Sequence, residues 1–209
     1  REAIRTTWGS VAEGAGLKEK KARLFFLVGQ VRGTEAAIQR EAELFDDLIV
    51  LDYVDTYHNL VLKSLAAMYF SRKLCKASFM LKIDQDSVFN IDRFLSQKGS
   101  TFDPELPVVY GHIHNKMTPH RGKSKWAVSK DEFDGKVYPP FCAGPAYVIS
   151  SRGIERILAT TPDVHLIWLE DVLIAGLVAE KAGVKRIEPR GAFNNGNGLD
   201  FKACAKIKS

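Results

Sequence analysis

Two acidic pairs carry the chemistry that this sequence is equipped to do. Asp84-Gln85-Asp86 closes the apolar run from Ser78 to Ile83. In an extended backbone, residues two apart project to the same side, so both carboxylates converge and offer hard oxygen ligands to a divalent cation. A cation held there would bind the diphosphate of a nucleotide and neutralise the charge that grows on it as a bond breaks. The same residues also suit strand termination and turn capping. An EF-hand loop is excluded, because the Gly and Glu it needs are replaced by Phe89 and Leu95. The second pair, Glu170-Asp171, follows the apolar stretch from Leu166 to Leu169 and opens a helix. Carboxylates at a helix start cap free N–H groups and match the dipole. Equally, a carboxylate there is a candidate general base that takes the proton of an attacking hydroxyl.

Alternating strands and helices must position these pairs. The continuous apolar run from Arg23 to Gly29 reads as a buried strand. A helix follows, capped by Thr34, with Ile38, Ala42 and Phe45 on one face. A second strand spans Asp47 to Asp52. The stretch from Asn59 to about Lys73 has neither Gly nor Pro and predicts a long core helix. Ser78 to Ile83 is a third strand, leading directly into Asp84. Pro107 to His112 and Ala146 to Ser150 predict further strands, and a helix from Glu170 to Gly183 precedes a last strand from Val184 to Ile187. Such alternation argues for an α/β sheet with ligands near the strand ends.

Composition sets the outer bounds. The chain has 209 residues, 45% apolar and 26% charged, which is enough for one substantial core in a single domain spanning 1–209. No apolar run reaches the roughly 20 residues that a membrane-spanning helix needs. Because the sequence opens at Arg1, an upstream anchor or signal is compatible with it. A net charge of +5 calls for an anionic partner. Lys116 to Lys130 is the densest basic stretch and includes His120 and Trp126, but zinc-finger spacing and an aromatic RNA-binding signature are both missing. Nucleic acid is therefore not the expected partner, and salt-dependent binding would be the mark of that alternative. Cys75, Cys142 and Cys204 lack CxxC spacing and nearby histidines, which argues against zinc. Their odd number fits one disulfide plus a thiol, or three thiols.

Taken in order, the motifs resemble one family. Arg1-x-x-Ile4-Arg5-x-Thr7-Trp8, the strand Phe26 to Gly29, and Asp52-Tyr53-Val54-Asp55-x-Tyr57-x-Asn59-Leu60-x-Leu62-Lys63 form the opening blocks. Lys82-Ile83-Asp84-Gln85-Asp86 with Asn90, Lys125-Trp126-x-Val128-Ser129, Tyr138-Pro139-Pro140-Phe141-Cys142-x-Gly144 with Tyr147-Val148-x-Ser150, and Glu170-Asp171-Val172 with Gly176 continue them. This succession, over roughly residues 1 to 183, resembles glycosyltransferase family 31, the β1,3-galactosyltransferase and β1,3-N-acetylglucosaminyltransferase group. Departures are Gln85 for a middle Asp, Ser87 for Val, the Gly144-Pro145-Ala146 run, and no His after His165 to serve as a further metal ligand. Glu188, Asn194, Asn195 or water would have to take its place.

The resemblance implies a GT-A-type nucleotide-sugar-binding fold, with a mixed, mostly parallel sheet flanked by helices and an irregular tail after about residue 189. It implies inverting transfer of galactose or an N-acetylhexosamine from a UDP-sugar to the 3-hydroxyl of a glycan on glycoprotein or glycolipid. On this basis Asp171, paired with Glu170, is the base. Asp86 is the direct ligand of a manganese or other divalent ion, and Asp84 lies near ribose and metal. Arg1, Arg5, Lys82, Asp84 and Gly144 are the expected nucleotide-sugar contacts. The resemblance also pairs Cys75 with Cys142, which would fit an oxidising secretory compartment. It further implies a Golgi type II membrane protein whose anchor lies upstream. A homologue that binds a UDP-sugar or a partner without turnover is the alternative.

Overall fold

The computed structural model describes residues 1–97 and 100–193. Two short helices, α1 (Glu2–Arg5) and α2 (Ala15–Lys18), precede β1 (Phe26–Gln30), α3 (Glu35–Phe45) and β2 (Leu48–Val54). Next comes α4 (Leu60–Tyr69), which continues in π-helical turns over Phe70–Leu74. Then follow β3 (Phe79–Ile83), α5 (Ile91–Ser96), β4 (Val108–His114), β5 (Phe141–Ser150) and α6 (Ser151–Thr160). The last helical stretch is π-wound over Val172–Val178 and becomes α7 (Ala179–Lys181) before β6 (Lys185–Ile187). Among the described residues no helix is long and apolar enough to cross a membrane.

β1 and β2 pair in parallel, and the other strands form a sheet in the order β3-β5-β4-β6. β5 is antiparallel to both β3 and β4, while β6 is parallel to β4. The expectation of a mixed α/β sheet flanked by helices thus holds, with parallel pairs β1–β2 and β4–β6. The mixed character comes from β5, which runs against both of its neighbours.

Side-chain alternation sorts the strands onto two cores. Met80, Val109, Tyr147 and Ile149 join a cluster with Val61 and Met68 of α4, Ile154 and Ile157 of α6, and Leu173, Ile174 and Val178. Val108, Tyr110 and Val148 face the other way onto Phe102, with Phe79, Leu81, Phe89 and Phe94 around them. Both faces are covered, as the apolar strand sequences require.

Ser150 joins β5 to α6. Fully buried, its hydroxyl donates to the Leu106 carbonyl and accepts from the N–H groups of Val108 and Gly153, the last being the cap of α6. That helix escapes a reading from the sequence, because Gly153 interrupts it. In the structure Gly153 is required there, since an added Cβ would lie 2.9 Å from the Val108 carbonyl oxygen.

The directions of the strands decide where a site can form. β3, β4 and β6 run the same way, so their carboxyl ends share one edge of the sheet with the amino end of β5. This is the edge where open α/β sheets bind ligands. The turn after β3 and the long loop between β4 and β5 both lie there. One side chain shapes that loop: the Arg121 guanidinium donates to the carbonyls of Val128, Ser129, Phe133 and Gly135. At the far end of the chain, Pro189 to Phe193 form no helix or strand, and residues 194–209 lie outside the described residues.

Candidate active site

Lys82 organises the site. It sits opposite Tyr147 in the antiparallel register of β3 and β5, on the same face as Met80, which directs its stem into the main core. Its ammonium lies 2.5 Å from Asp84 Oδ1 and 2.5 Å from the Gly144 carbonyl oxygen. Glu170 Oε2 is 3.8 Å away. Burial alone would lower the Lys82 pKa, but the carboxylates of Glu170 and Asp84 outweigh it and the net shift is upward. Lys82 is therefore a fixed cation.

The two residues of the second acidic pair have different environments. Glu170 is only 4% exposed. Its carboxylate accepts from the Tyr147 hydroxyl and also from Ser64 of α4. Burial pushes its pKa above the usual carboxylate range, against the opposing pull of Lys82 and the two hydroxyls. With every approach filled, Glu170 is a positioning residue. Asp171 is half-buried at the start of the last helix. The Gly144 N–H donates to its Oδ2 at 3.1 Å and the Val172 N–H to its Oδ1 at 2.9 Å. Burial raises its pKa too, opposed by those two amides. Each of its oxygens keeps a free lone pair for another donor. A carboxylate held in place with a raised pKa is suited to accept a proton near neutral pH.

Gly144 connects the two sides. Its carbonyl holds Lys82, its N–H holds Asp171, and an added Cβ would stand 3.2 Å from Asp171 Oδ2. Pro145 accepts from the Asp84 N–H at 2.9 Å, so the backbone of β5 also fixes the first Asp.

Asp84-Gln85-Asp86 is not extended. The Ser87 N–H donates to the Asp84 carbonyl at 3.0 Å, which places the Asp residues at the first and third positions of a turn. The alternation expected of a strand therefore does not apply to them. Both carboxylates still reach solvent at the sheet edge, Asp84 with 40% of its side chain exposed. Such an oxygen pair fits a hard cation that keeps water and phosphate oxygens in its shell. Among the described residues, however, no group of three or more His, Cys, Asp or Glu is arranged to hold a metal. Glu188 does not complete one: it accepts from the Ile113 N–H and pairs with His112 Nδ1 at 2.8 Å, beside β4. β6 and β3 are the two outer strands of the sheet, roughly 14 Å apart at the usual spacing. Asn194 and Asn195 lie outside the described residues.

Four other expected residues lie apart from this unit. Arg1 and Arg5 do not meet the acidic cluster. Arg1 pairs with Glu41, while Arg5 binds Asp47 through two bonds of 2.7 Å, reaches Glu41 at 2.8 Å and lies against the Phe26 and Phe45 rings. These arginines hold the Glu41 carboxyl down at about 2. They tie α1 to α3 at the amino ends of β1 and β2, the end opposite to where such sheets bind ligands. Cys75 and Cys142 are also unbonded. Cys75 is exposed after the last turn of the α4 extension, whereas Cys142 is buried on β5 with its sulfur toward the Val109 carbonyl. Cys204 lies outside the described residues.

The galactosyltransferase family profile matches residues 1–190. The chain is 34% identical over 200 residues to mouse (Mus musculus) and human (Homo sapiens) beta-1,3-galactosyltransferase 1, covering 93% of this chain and 60% of each relative. It is 31% identical over 210 residues to chimpanzee (Pan troglodytes) beta-1,3-galactosyltransferase 5, covering 98% of this chain and 69% of that protein. The chain thus spans about 60% of the length of the first of these relatives. A profile match over nearly the whole described chain places this protein in the galactosyltransferase family.

Proposed function

We propose that the chain is the catalytic domain of a UDP-sugar-dependent β1,3-galactosyltransferase that transfers galactose with inversion to the 3-hydroxyl of an acceptor glycan. The observation that carries this reading is the unit Asp84–Lys82–Gly144–Asp171. It joins a donor-side acidic turn to a pre-positioned base through three hydrogen bonds. The choice of galactose follows the names of the relatives.

Asp171 takes the proton of the acceptor hydroxyl as that oxygen forms its bond to the anomeric carbon. The bond from that carbon to the diphosphate breaks on the opposite face, and its electron pair leaves with UDP. Gly144 and Val172 hold both oxygens of Asp171 in place, so the base needs no reorganisation. Lys82 holds Asp84 in position, and Glu170, anchored by Tyr147 and Ser64, balances the lysine from inside the core. A manganese or other divalent ion held by Asp86 and Asp84 would supply Lewis-acid neutralisation of the leaving diphosphate. A lumenal Golgi setting, with a membrane anchor upstream, belongs to the same proposal.

The test is UDP release from UDP-galactose, UDP-N-acetylglucosamine and UDP-N-acetylgalactosamine over an acceptor panel, with and without manganese, beside Asp171→Asn. The expected result is manganese-dependent turnover, fastest with UDP-galactose and reduced by about 10²–10⁴ in the variant. Donor binding that is equal in both proteins, without turnover on any acceptor, would refute it.

A further inference from the structure

An aromatic group beside the acid pair remains outside the unit just described. Past the end of β2, Tyr57–Asn59 forms a single 3-10 turn, capped by Thr56, that leads into α4. Trp168 lies three residues before Asp171. The His58 and Trp168 rings stack at 4.6 Å with 19° between their planes, and Tyr57 meets Trp168 edge-on at 5.7 Å. These contacts bring the turn after β2 against the segment that delivers the base.

The stack has an open side. Tyr57 is 56% exposed although its ring position is set by Trp168. Glu132, on the loop between β4 and β5, approaches the stack from the His58 side. Its carboxylate accepts from the Ser129 N–H and hydroxyl at 2.8 Å each and lies within electrostatic reach of His58 and His165. Single exposed aromatics need no explanation. Three rings in mutual contact, one of them three residues before Asp171, with a fixed carboxylate within electrostatic reach of His58, present a different chemistry.

An aromatic face covers the apolar C–H face of a pyranose, and a carboxylate accepts hydrogen bonds from its hydroxyls. A nucleoside diphosphate is disfavoured at the same place, because Glu132 repels phosphate. Rings fixed before binding also lower the ordering cost of capture. We infer that Tyr57, His58 and Trp168, rimmed by Glu132, form the subsite for a neutral acceptor pyranose, seating it so that its hydroxyl faces Asp171. This inference rests on the transferase reading and adds the acceptor side to it.

The experiment compares wild type, Tyr57→Ala, Tyr57→Phe and Tyr69→Ala, the last an exposed tyrosine at the other end of α4. Saturation-transfer NMR with methyl β-galactoside and methyl β-N-acetylglucosaminide reads binding without turnover, and steady-state kinetics read the acceptor and donor KM separately. In Tyr57→Ala the glycoside signal falls severalfold and the acceptor KM rises about tenfold while the donor KM stays. Tyr57→Phe restores both readouts, and Tyr69→Ala changes neither. An unchanged glycoside signal in Tyr57→Ala, no signal in wild type, or a donor KM that rises in step with the acceptor KM would overturn the inference. A tyrosine-dependent glycoside signal in a protein that turns over no UDP-sugar would uphold the subsite and reject the transferase reading.

Discussion

Lys82→Met keeps most of the volume of the lysine stem and deletes the ammonium that faces Glu170. Two losses follow, and pH separates them. The bonds to the Gly144 carbonyl and to the partly exposed Asp84 disappear at any pH, at about 1–2 kcal/mol. Glu170 is then enclosed without its cation, and breaking a buried pair costs roughly 3–5 kcal/mol while the remaining charge stays ionised. Protonation relieves this second loss. Burial already raises the folded-state pKa of Glu170, so the folded state binds more protons than the unfolded state from about pH 4 up to that folded value. Stability therefore falls as pH rises through this interval. Without Lys82 the folded value climbs further, and the interval stretches toward neutral pH. Urea unfolding of both proteins should show a deficit of about 1–2 kcal/mol near pH 4.5 and, with both losses present, about 4–7 kcal/mol near pH 8. Thermal midpoints should differ by roughly 2–4 °C per kcal/mol in a chain of this size. A deficit that is the same at both pH values would refute the assignment of Glu170 as a buried charge balanced by Lys82.

Other perturbations read other parts of the structure. Gly144→Ala pushes a methyl group toward Asp171 Oδ2, so kcat should fall about tenfold while urea stability moves by less than about 1 kcal/mol; unchanged kcat would mean that the seat of Asp171 is not critical. Ser150→Ala strips the shared partner from the Leu106 carbonyl and from the N–H groups of Val108 and Gly153, and calorimetry should register a loss of about 2–3 kcal/mol. Iodoacetamide followed by peptide mass spectrometry should label Cys75 in the native protein. Cys142, buried and with its thiol pushed up to about 12, should react only in denaturant. Protection of both in non-reducing conditions, lifted by a reductant, would restore the disulfide.

The parts that were legible in the sequence are those whose signal is local. α4 announces itself through a run without Gly or Pro, and β3 through an apolar run that stops at an Asp. Glu170 and Asp171 are visible as an acidic pair at a helix start, but their division into a buried anchor and a half-buried carboxylate held by two amides is not. That division depends on Ser64 and Tyr147, which meet Glu170 from more than twenty residues away. The first half of β5 was hidden by Gly144-Pro145, residues that normally break a strand. Here they lie at a ligand edge, where Pro145 gives only its carbonyl, to Asp84. The stack of His58 on Trp168 pairs residues 110 positions apart and leaves no periodic trace. Arg1, Arg5 and the cysteine pair were assigned by resemblance alone; in the structure the arginines pair with Glu41 and Asp47, and Cys142 is buried while Cys75 is exposed.

The loop closed by Arg121 has a consequence for how such a protein can diverge. Four main-chain carbonyls, which every residue type provides, converge on one guanidinium. The shape of the loop is thus decoupled from the identity of most side chains on it, including the exposed Trp126 and its neighbour Lys125. Substitutions at those positions can alter what the loop recognises without altering its path, whereas Arg121→Lys, with no planar fork, would release the path itself. The loop beside the proposed acceptor subsite is therefore one whose recognition surface is free to change while its frame stays fixed.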